Sequence, residues 1–263
     1  MLKSDTHNLP SSAELPCSDD TPVDNEEQNF IPNFLLFLLE YIWGNRQDWF
    51  FGVDMAVYHT TGKNPRIPIT PDGFLALNVE RRKDGQSRSS YVVWEENNIV
   101  PILALEVVSQ TPGGEYSSKE ALYAKLGVLY YVIYNPRQFG GRHQGLEVYK
   151  LIKGKYSWQT QEPVWMPEIG LGIGRGIRNY GGIEREVLYW FDEQGNRYAG
   201  TEEELEVVRQ RAELERQRAE QERQRAESAE QRAESAEQQI EQERQLREQL
   251  QRELERYRQQ LGD

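Results

Sequence analysis

Two apolar segments with a helical segment between them constrain the fold of this chain more than any other feature. Residues 102–108 and 128–134 are almost continuously apolar, which is typical of interior strands. Residues 117–126 between them have helical spacing, and Gly127 is placed to end that helix. A strand, a helix and a strand in this order form a right-handed crossover, so the sequence predicts a mixed α/β domain.

Glu106 interrupts the first of these apolar strands. Alternation puts Glu106 on one face with Ala104 and Val108, and puts Leu105 and Val107 on the other face. Both faces are otherwise apolar, and a buried carboxylate is normally paired, protonated or bound to a metal because an unpaired buried charge is costly. Taken alone, the residue leaves a structural ion pair and a functional site equally open.

The composition limits the partners and the compartment. The formal net charge is −12, and half of that excess lies in residues 201–263, so any contact with nucleic acid must be local rather than a broad basic face. The single cysteine, Cys17, excludes an internal disulfide and a cysteine-based zinc site. The longest apolar run, residues 34–39, is too short to cross a bilayer and no signal peptide is recognised, so we expect a cytoplasmic protein.

The chain divides into three predicted regions. Residues 1–28 have the polar composition of a disordered arm, residues 29–200 form the α/β domain, and residues 201–263 form a charged helical tail. The domain begins with a helix that Asn33 caps and Gly44 ends. Beyond the two interior strands, further strands are predicted at residues 55–58, 67–70, 74–79, 91–94, 146–152, 156–160, 187–191 and 196–198.

The tail has the pattern of a coiled coil. It contains no Gly or Pro from Thr201 to Leu261, and Thr201 with Glu204 forms a predicted capping box. With Leu205 at heptad position a, the a and d positions continue to Leu261, although six of these seventeen positions are alanine and three d positions are glutamate. The heptads favour a homo-oligomer through this helix, and a single solvated helix is equally compatible.

Several other motifs have a structural interpretation. The alternating glycines at residues 170–176 lack the spacing of a phosphate-binding loop and predict a loop or a bulged strand. Asp54 is interpreted as a turn residue, with an auxiliary metal ligand as the alternative. His59 and His143 have no second histidine at ligand spacing, so neither is given a role. The basic run at residues 81–83 is interpreted as a solvated loop.

Three residues could together carry chemistry. Asp72 follows Pro71 between two predicted strands, and Glu106 lies in the interior strand. Lys119 falls in the first turn of the helix if Ser117 or Ser118 caps it, where the helix dipole disfavours a cation and calls for an anion nearby. Two carboxylates that hold Mg²⁺ and a lysine that orients water are what metal-dependent phosphodiester hydrolysis requires.

The order and spacing of these residues resemble the Uma2 family of the PD-(D/E)xK superfamily. The similarity covers roughly residues 30–200 and rests on Pro71-Asp72, the segment at residues 105–109, Lys119-x3-Tyr123-x3-Gly127 and Asn135-Pro136. It implies a restriction endonuclease-like mixed sheet flanked by helices. It also implies Asp72 and Glu106 as ligands of Mg²⁺ or Mn²⁺ and Lys119 as a catalytic residue. The substrate it implies is a nucleic acid, with DNA favoured over RNA.

Two positions depart from the family pattern. Val108 stands where the superfamily has its lysine, and the resemblance implies that Lys119 on the next helix replaces it. Glu115 stands where the family usually has Asp.

Three functional interpretations therefore follow. The first is a Mg²⁺-dependent endonuclease with Asp72, Glu106 and Lys119 as its site. The second is an inactive interaction module that oligomerises or recruits partners through its coiled-coil tail. In the third, Glu106 is a core ion pair, and Glu106→Ala destabilises the fold by a few kcal/mol.

Overall fold

The computed structural model describes residues 9–17, 25–62, 64–109, 114–139, 143–180 and 182–261 of the 263-residue chain. The chain divides into two compact units, Met1–Gly200 and Thr201–Asp263. Within the described residues the helices are α1 Glu26–Ile42, α2 Ser118–Leu126 and α3 Thr201–Leu261. The strands are β1 Trp49–Val53, β2 Val57–Tyr58, β3 Gly73–Leu77, β4 Tyr91–Val92, β5 Leu103–Val107, β6 Tyr130–Tyr134, β7 Leu146–Ile152, β8 Lys155–Gln159, β9 Val164–Met166, β10 Leu171–Tyr180 and β11 Ile183–Phe191.

A six-stranded mixed sheet forms the centre of the first unit. Its strand order is β1-β3-β5-β6-β7-β8, with β5 and β6 parallel and the remaining neighbours antiparallel. A three-stranded sheet, β11-β10-β9, and a short parallel pair, β2-β4, complete the unit. Because α2 connects the two parallel strands, the predicted strand-helix-strand unit is confirmed, and the architecture is mixed α/β, consistent with a restriction endonuclease-like fold.

The two faces of the central sheet carry separate apolar clusters. Leu105 and Val107 pack in the cluster that contains Leu35 of α1 and Trp190 of β11, whose indole N–H donates to the Leu35 carbonyl at 3.0 Å. The cluster on the opposite face contains Ala104, Val108 and Ile133 together with Tyr123 and Leu126 of α2. Alternation along β5 puts Glu106 on the face of Ala104 and Val108, as the sequence predicts, and the structure shows that this face packs against α2.

Helix α1 begins eight residues earlier than predicted, with Asn25 rather than Asn33 as its N-cap. The Asn25 side chain accepts a hydrogen bond from the Gln28 N–H at 3.0 Å and caps the helix, whereas Pro32 lies inside it. The predicted cap, Asn33, directly follows Pro32, and proline in a helix interior removes a hydrogen bond and is unfavourable. The burial of Ile31 and Leu35 on the central sheet fixes the helix across this proline.

The segment predicted to be a disordered arm is ordered where the structure describes it. Ser12–Glu14 form a single 3-10 turn, and Leu15 is buried against Tyr58 and its neighbours. The Tyr58 hydroxyl donates to the Pro16 carbonyl at 2.7 Å, and the Trp94 indole donates to the Pro10 carbonyl at 3.0 Å. One buried leucine and two aromatic donors thus hold a stretch whose composition alone indicates disorder. Residues 1–8 and 18–24 of this predicted arm lie outside the described residues.

Two predicted strands are wrong. Residues 67–70 contribute a single bridge, from Ile69 to Val57, because Pro68 has no N–H to donate to a ladder. Residues 196–198 likewise make only the bridge from Arg197 to Phe191. Strands β1 and β9, conversely, were not predicted, and the predicted strand at residues 55–58 is shortened to β2.

The glycine-rich segment is strand β10. Adding a Cβ at Gly174 would bring it 3.0 Å from the Phe191 ring, and adding one at Gly176 would bring it 2.8 Å from the Tyr189 ring. The glycines therefore leave room for aromatic rings of β11 rather than for a phosphate. Glycine is needed here for close packing across the sheet, and the segment is a strand.

Helix α3 spans Thr201–Leu261 of the predicted tail, whose residues 262 and 263 lie outside the described residues. It contains 61 residues, and Leu250 and Leu254 are more than half exposed. The predicted capping box at Thr201 and Glu204 lies outside the side chains that the structure describes. Searching the described residues for a helix with the length and apolar character needed to span a membrane finds none.

Candidate active site

Three acidic residues come together at one edge of the central sheet. Val53 of β1 pairs with Gly73 of β3, and Gly73 pairs with Leu105 of β5. The next residue along each ladder is acidic: Asp54 after β1 and Asp72 before β3, beside Glu106 in β5. The Asp54 N–H donates to the Asp72 carbonyl at 3.1 Å, so the ladder continues to these residues.

The Asp72 carboxylate is fixed on β5. Its Oδ2 accepts a hydrogen bond from the Val107 N–H at 2.6 Å, one residue beyond Glu106. Burial, followed by repulsion from Glu106, raises the pKa of Asp72 to about 8, and the hydrogen bond from Val107 only partly opposes this. Below that pH the Asp72 carboxyl group holds a proton in the folded protein.

Both Glu106 carboxylate oxygens have a donor from α2. Lys119 Nζ lies 2.7 Å from Oε2, and the Tyr123 hydroxyl donates to Oε1 at 2.6 Å. Glu106 is 1% exposed, and burial raises its pKa, whereas Lys119 and Tyr123 act to lower it. Burial also raises the pKa of the Tyr123 hydroxyl far above its usual value, so Tyr123 remains a hydrogen-bond donor.

The start of α2 positions the lysine. Ser117 is the N-cap residue and Lys119 is the second helical residue, as the sequence predicts, and the Lys119 N–H donates to the Gly114 carbonyl at 3.0 Å. Burial acts to lower the pKa of Lys119, but the Glu106 carboxylate outweighs burial and raises it. Lys119 is therefore a cation directed at the acid pair, Asp72 and Glu106. This attraction offsets the unfavourable position of a cation at a helix N-terminus.

The residues present fit a divalent cation by donor type. The described residues contain no group of three or more His, Cys, Asp or Glu side chains arranged to hold a metal ion. Asp72 and Glu106 provide two carboxylates, and Mg²⁺ is commonly bound by one or two carboxylates while it keeps several waters. The raised pKa values of both acids show that this edge favours added positive charge, which a proton on Asp72 and the Lys119 ammonium supply in part.

Sequence reasoning missed two contacts at this edge. Tyr123 is singled out in the sequence beside Lys119 but is given no contact with Glu106, although its spacing of four residues from Lys119 puts both side chains on the same helix face. Gln28, assigned to the disordered arm, donates from Nε2 to the Val107 carbonyl at 3.3 Å. No pattern in the sequence connects Gln28 with β5, because the contact depends on the early start of α1.

The residues given no chemical role make contacts within the domain. The His59 ring nitrogen lies 2.7 Å from the Thr61 hydroxyl, and the His143 ring stacks on Tyr116 with centroids 3.6 Å apart. The basic run differs from the solvated loop expected, because Arg81 pairs with Glu40 and Lys83 with Glu95, each at 2.8 Å. These contacts explain the basic run without a phosphate ligand.

The fold and the site define a class of protein: a mixed α/β domain with two acids and a lysine at one edge of its central sheet. The family model of Uma2, described as "Putative restriction endonuclease", matches residues 20–178, which is more than half of the chain. The chain therefore belongs to the Uma2 family, as its motifs indicated, and Asp72, Glu106 and Lys119 lie inside the matched region. Neither the curated proteins nor the solved structures contain a match to the chain.

Proposed function

We propose that the protein is a metal-dependent nuclease that hydrolyses phosphodiester bonds at the Asp72–Glu106–Lys119 site. The single observation that supports this most strongly is the ammonium of Lys119, 2.7 Å from buried Glu106 and carried by the helix that follows β5. Membership of a family described as restriction endonucleases agrees with a nuclease. The proposal assigns Asp72 and Glu106 as ligands of Mg²⁺ or Mn²⁺ and Lys119 as a catalytic residue.

Each residue has a distinct part in the proposed reaction. Asp72 and Glu106 would hold the cation, which supplies a water of lowered pKa and neutralises charge that develops on the phosphate. Val107 fixes the Asp72 carboxylate through its backbone N–H, and Tyr123 fixes one oxygen of Glu106. Lys119 would then orient the attacking water or donate to a phosphate oxygen, because its ammonium already lies at the acid pair.

The substrate is proposed to be nucleic acid, with DNA favoured over RNA. The acidic net charge of −12 gives no broad attraction for phosphates, so binding would depend on local contacts and on the cation itself. The single cysteine agrees with a cytoplasmic location. The tail is proposed as a separate coiled-coil region, residues 201–263, that joins copies of the chain.

A cleavage assay tests the proposal. Purified protein is incubated with plasmid DNA and with RNA, with Mg²⁺, with Mn²⁺ or with a chelator, and is compared with Glu106→Ala. Glu193→Ala, an exposed glutamate in the turn after β11, is the matched control. We expect cleavage by the wild type and the control only when a divalent ion is present. Cleavage that survives in Glu106→Ala removes the proposal.

Cation binding is expected to depend on pH. Because Asp72 keeps a proton up to about pH 8, a bound cation must displace that proton. The apparent affinity for Mn²⁺ should rise by up to about tenfold per pH unit between pH 6 and 8 and level off above pH 8. Isothermal titration in two buffers of different ionisation enthalpy measures the affinity and the released proton. An affinity that does not change with pH, with no proton released, contradicts the assignment of Asp72 as a ligand.

A further inference from the structure

The tail helix carries charged residues at positions that would face a second copy. With Leu205 at position a, the d positions include Glu215, Glu222 and Glu243, and Arg247 is at position a. All four charged side chains are exposed along α3. A coiled coil places a and d residues in its central seam, so the pairing direction decides which charges meet.

A parallel pair in register opposes each seam residue to its own copy. Glu215, Glu222 and Glu243 would each face an identical glutamate, and Arg247 would face an identical arginine. Four layers of the seam would then contain like charges, which are destabilising when they are directly opposed. A polar residue in the seam selects between pairing arrangements at a cost in stability, and here the selection is against the parallel one.

An antiparallel pair centred on Gln231 removes every like-charged layer. Residues equally distant in sequence from Gln231 then face each other, and each a position meets a d position. Arg247 of one copy faces Glu215 of the other, and this pair occurs twice. Glu222 faces Ile240 and Glu243 faces Ala219, so no seam glutamate meets another acid.

The apolar residues of the seam agree with the same register. By sequence position, Leu205 would face Tyr257, Val208 would face Leu254 and Ala212 would face Leu250, so the apolar residues would cluster at both ends. At the centre alanine would face alanine, through Ala226 with Ala236 and Ala229 with Ala233. Leu250 and Leu254 are 56% and 54% exposed on the single helix, which is the surface that the second copy would cover.

The charged residues that flank the seam distinguish less clearly between the parallel and antiparallel arrangements. At the flanking positions an antiparallel coiled coil pairs e with e and g with g, offset by two residues from the seam rule: Arg211 would lie beside Glu253 and Arg223 beside Glu237, whereas Arg216 would lie beside Arg244. The parallel arrangement also contains both attractive and repulsive flanking pairs. Exposed ion pairs contribute little, with a median of about 0–1 kcal/mol, so the charges in the seam decide the direction.

We propose that the tail binds a second copy of this chain as an antiparallel coiled coil centred on Gln231, with Arg247 paired to Glu215 of the second copy. The register overlaps the helices over their full length, because Thr201 faces Leu261. The two α/β domains are therefore joined to opposite ends of a helical rod about 90 Å long.

Charge exchange in the full-length protein tests the direction and the register. Glu215→Arg places an arginine opposite Arg247 of the other copy at both ends of the pair. It should weaken self-association, measured by sedimentation, about tenfold, and adding Arg247→Glu should restore the association. Glu222→Arg is the matched control, which Arg247→Glu should not rescue. Rescue of Glu222→Arg by Arg247→Glu overturns the register. Glu215→Arg that has no effect, or a wild type that is monomeric at all concentrations measured, overturns the pairing.

Distances between spin labels give an independent measure. Single cysteines are introduced at the exposed residues Glu213, Arg232 or Gln249 in a Cys17→Ser background. In the antiparallel register, the label pairs at 213 and at 249 should lie about 54 Å apart along the rod, and the pair at 232 only a few Å apart along it. A parallel pair keeps all three label pairs within about 25 Å, since helices pack about 10 Å apart. Short distances at 213 and 249 overturn the proposal.

Discussion

Substitution of Lys119 by Met is expected to lower the rate of phosphodiester cleavage by about 10²–10³-fold while the cation still binds. The expected size is that of removing one positioned donor from a site where charge develops in the transition state. Met keeps the length of the lysine stem and removes the ammonium that lies 2.7 Å from Glu106. The measurement is the single-turnover cleavage rate at saturating Mn²⁺ and pH 8.5, where loss of the proton from Asp72 no longer limits binding.

Two controls separate catalysis from folding in this experiment. Lys125→Met is the same substitution in the last turn of the same helix, where the side chain is exposed, and it should leave the rate unchanged. Lys119→Met should also lower the free energy of unfolding by about 1–3 kcal/mol, because Glu106 loses its buried partner. A variant that is less stable but cleaves at the wild-type rate when folded shows that Lys119 serves only the ion pair.

Asp72→Asn is expected to raise the free energy of unfolding by about 3 kcal/mol above pH 8 in the absence of metal. In the unfolded chain the Asp72 carboxyl group loses its proton near pH 3.8, whereas the folded state keeps it to about pH 8. Between these two pH values the folded state binds more protons, so the wild type becomes less stable as pH rises and then changes no further above pH 8. Asn does not titrate, and its side-chain oxygen can still accept from the Val107 N–H.

The gain in stability should therefore grow with pH. Denaturant unfolding at pH 4, 6 and 8.5 should show almost no difference between Asp72→Asn and wild type at pH 4 and the full difference at pH 8.5. Asp192→Asn, in the exposed turn after β11, should not stabilise the protein at any of these pH values. If Asp72→Asn destabilises the protein at pH 8.5, burial and repulsion from Glu106 do not make the Asp72 carboxylate unfavourable. The argument that this edge favours a bound cation is then lost.

The parts of the site that lie on one crossover were predictable from the sequence. Continuous apolar runs identified β5 and β6, the serines and Gly127 identified the ends of α2, and alternation identified the face of Glu106. These signals are local, because they depend on backbone periodicity and on the hydrogen bonds that helix ends require. The convergence of Asp72 on the same edge followed only from the family resemblance, since strand pairing between distant segments has no local signal.

The errors arise where tertiary packing overrides local preference. Pro32 indicated a helix boundary, yet burial of the surrounding leucines and isoleucine keeps α1 helical through it. The alternating glycines have low strand propensity, but β10 needs them because rings from β11 occupy the space of their side chains. The Leu15 segment is ordered by aromatic donors more than forty residues away, so no window of the sequence could reveal it.

The cross-strand register between β3 and β5 has a consequence for how the protein is assayed. A slip of one residue would turn Glu106 from the α2 face to the α1 face and would place an acid among the leucines of the opposite cluster. Correct pairing of the two strands and assembly of the acid pair are therefore the same event during folding. Misfolded molecules in a preparation would contribute no turnover, so the specific activity would be proportional to the correctly folded fraction.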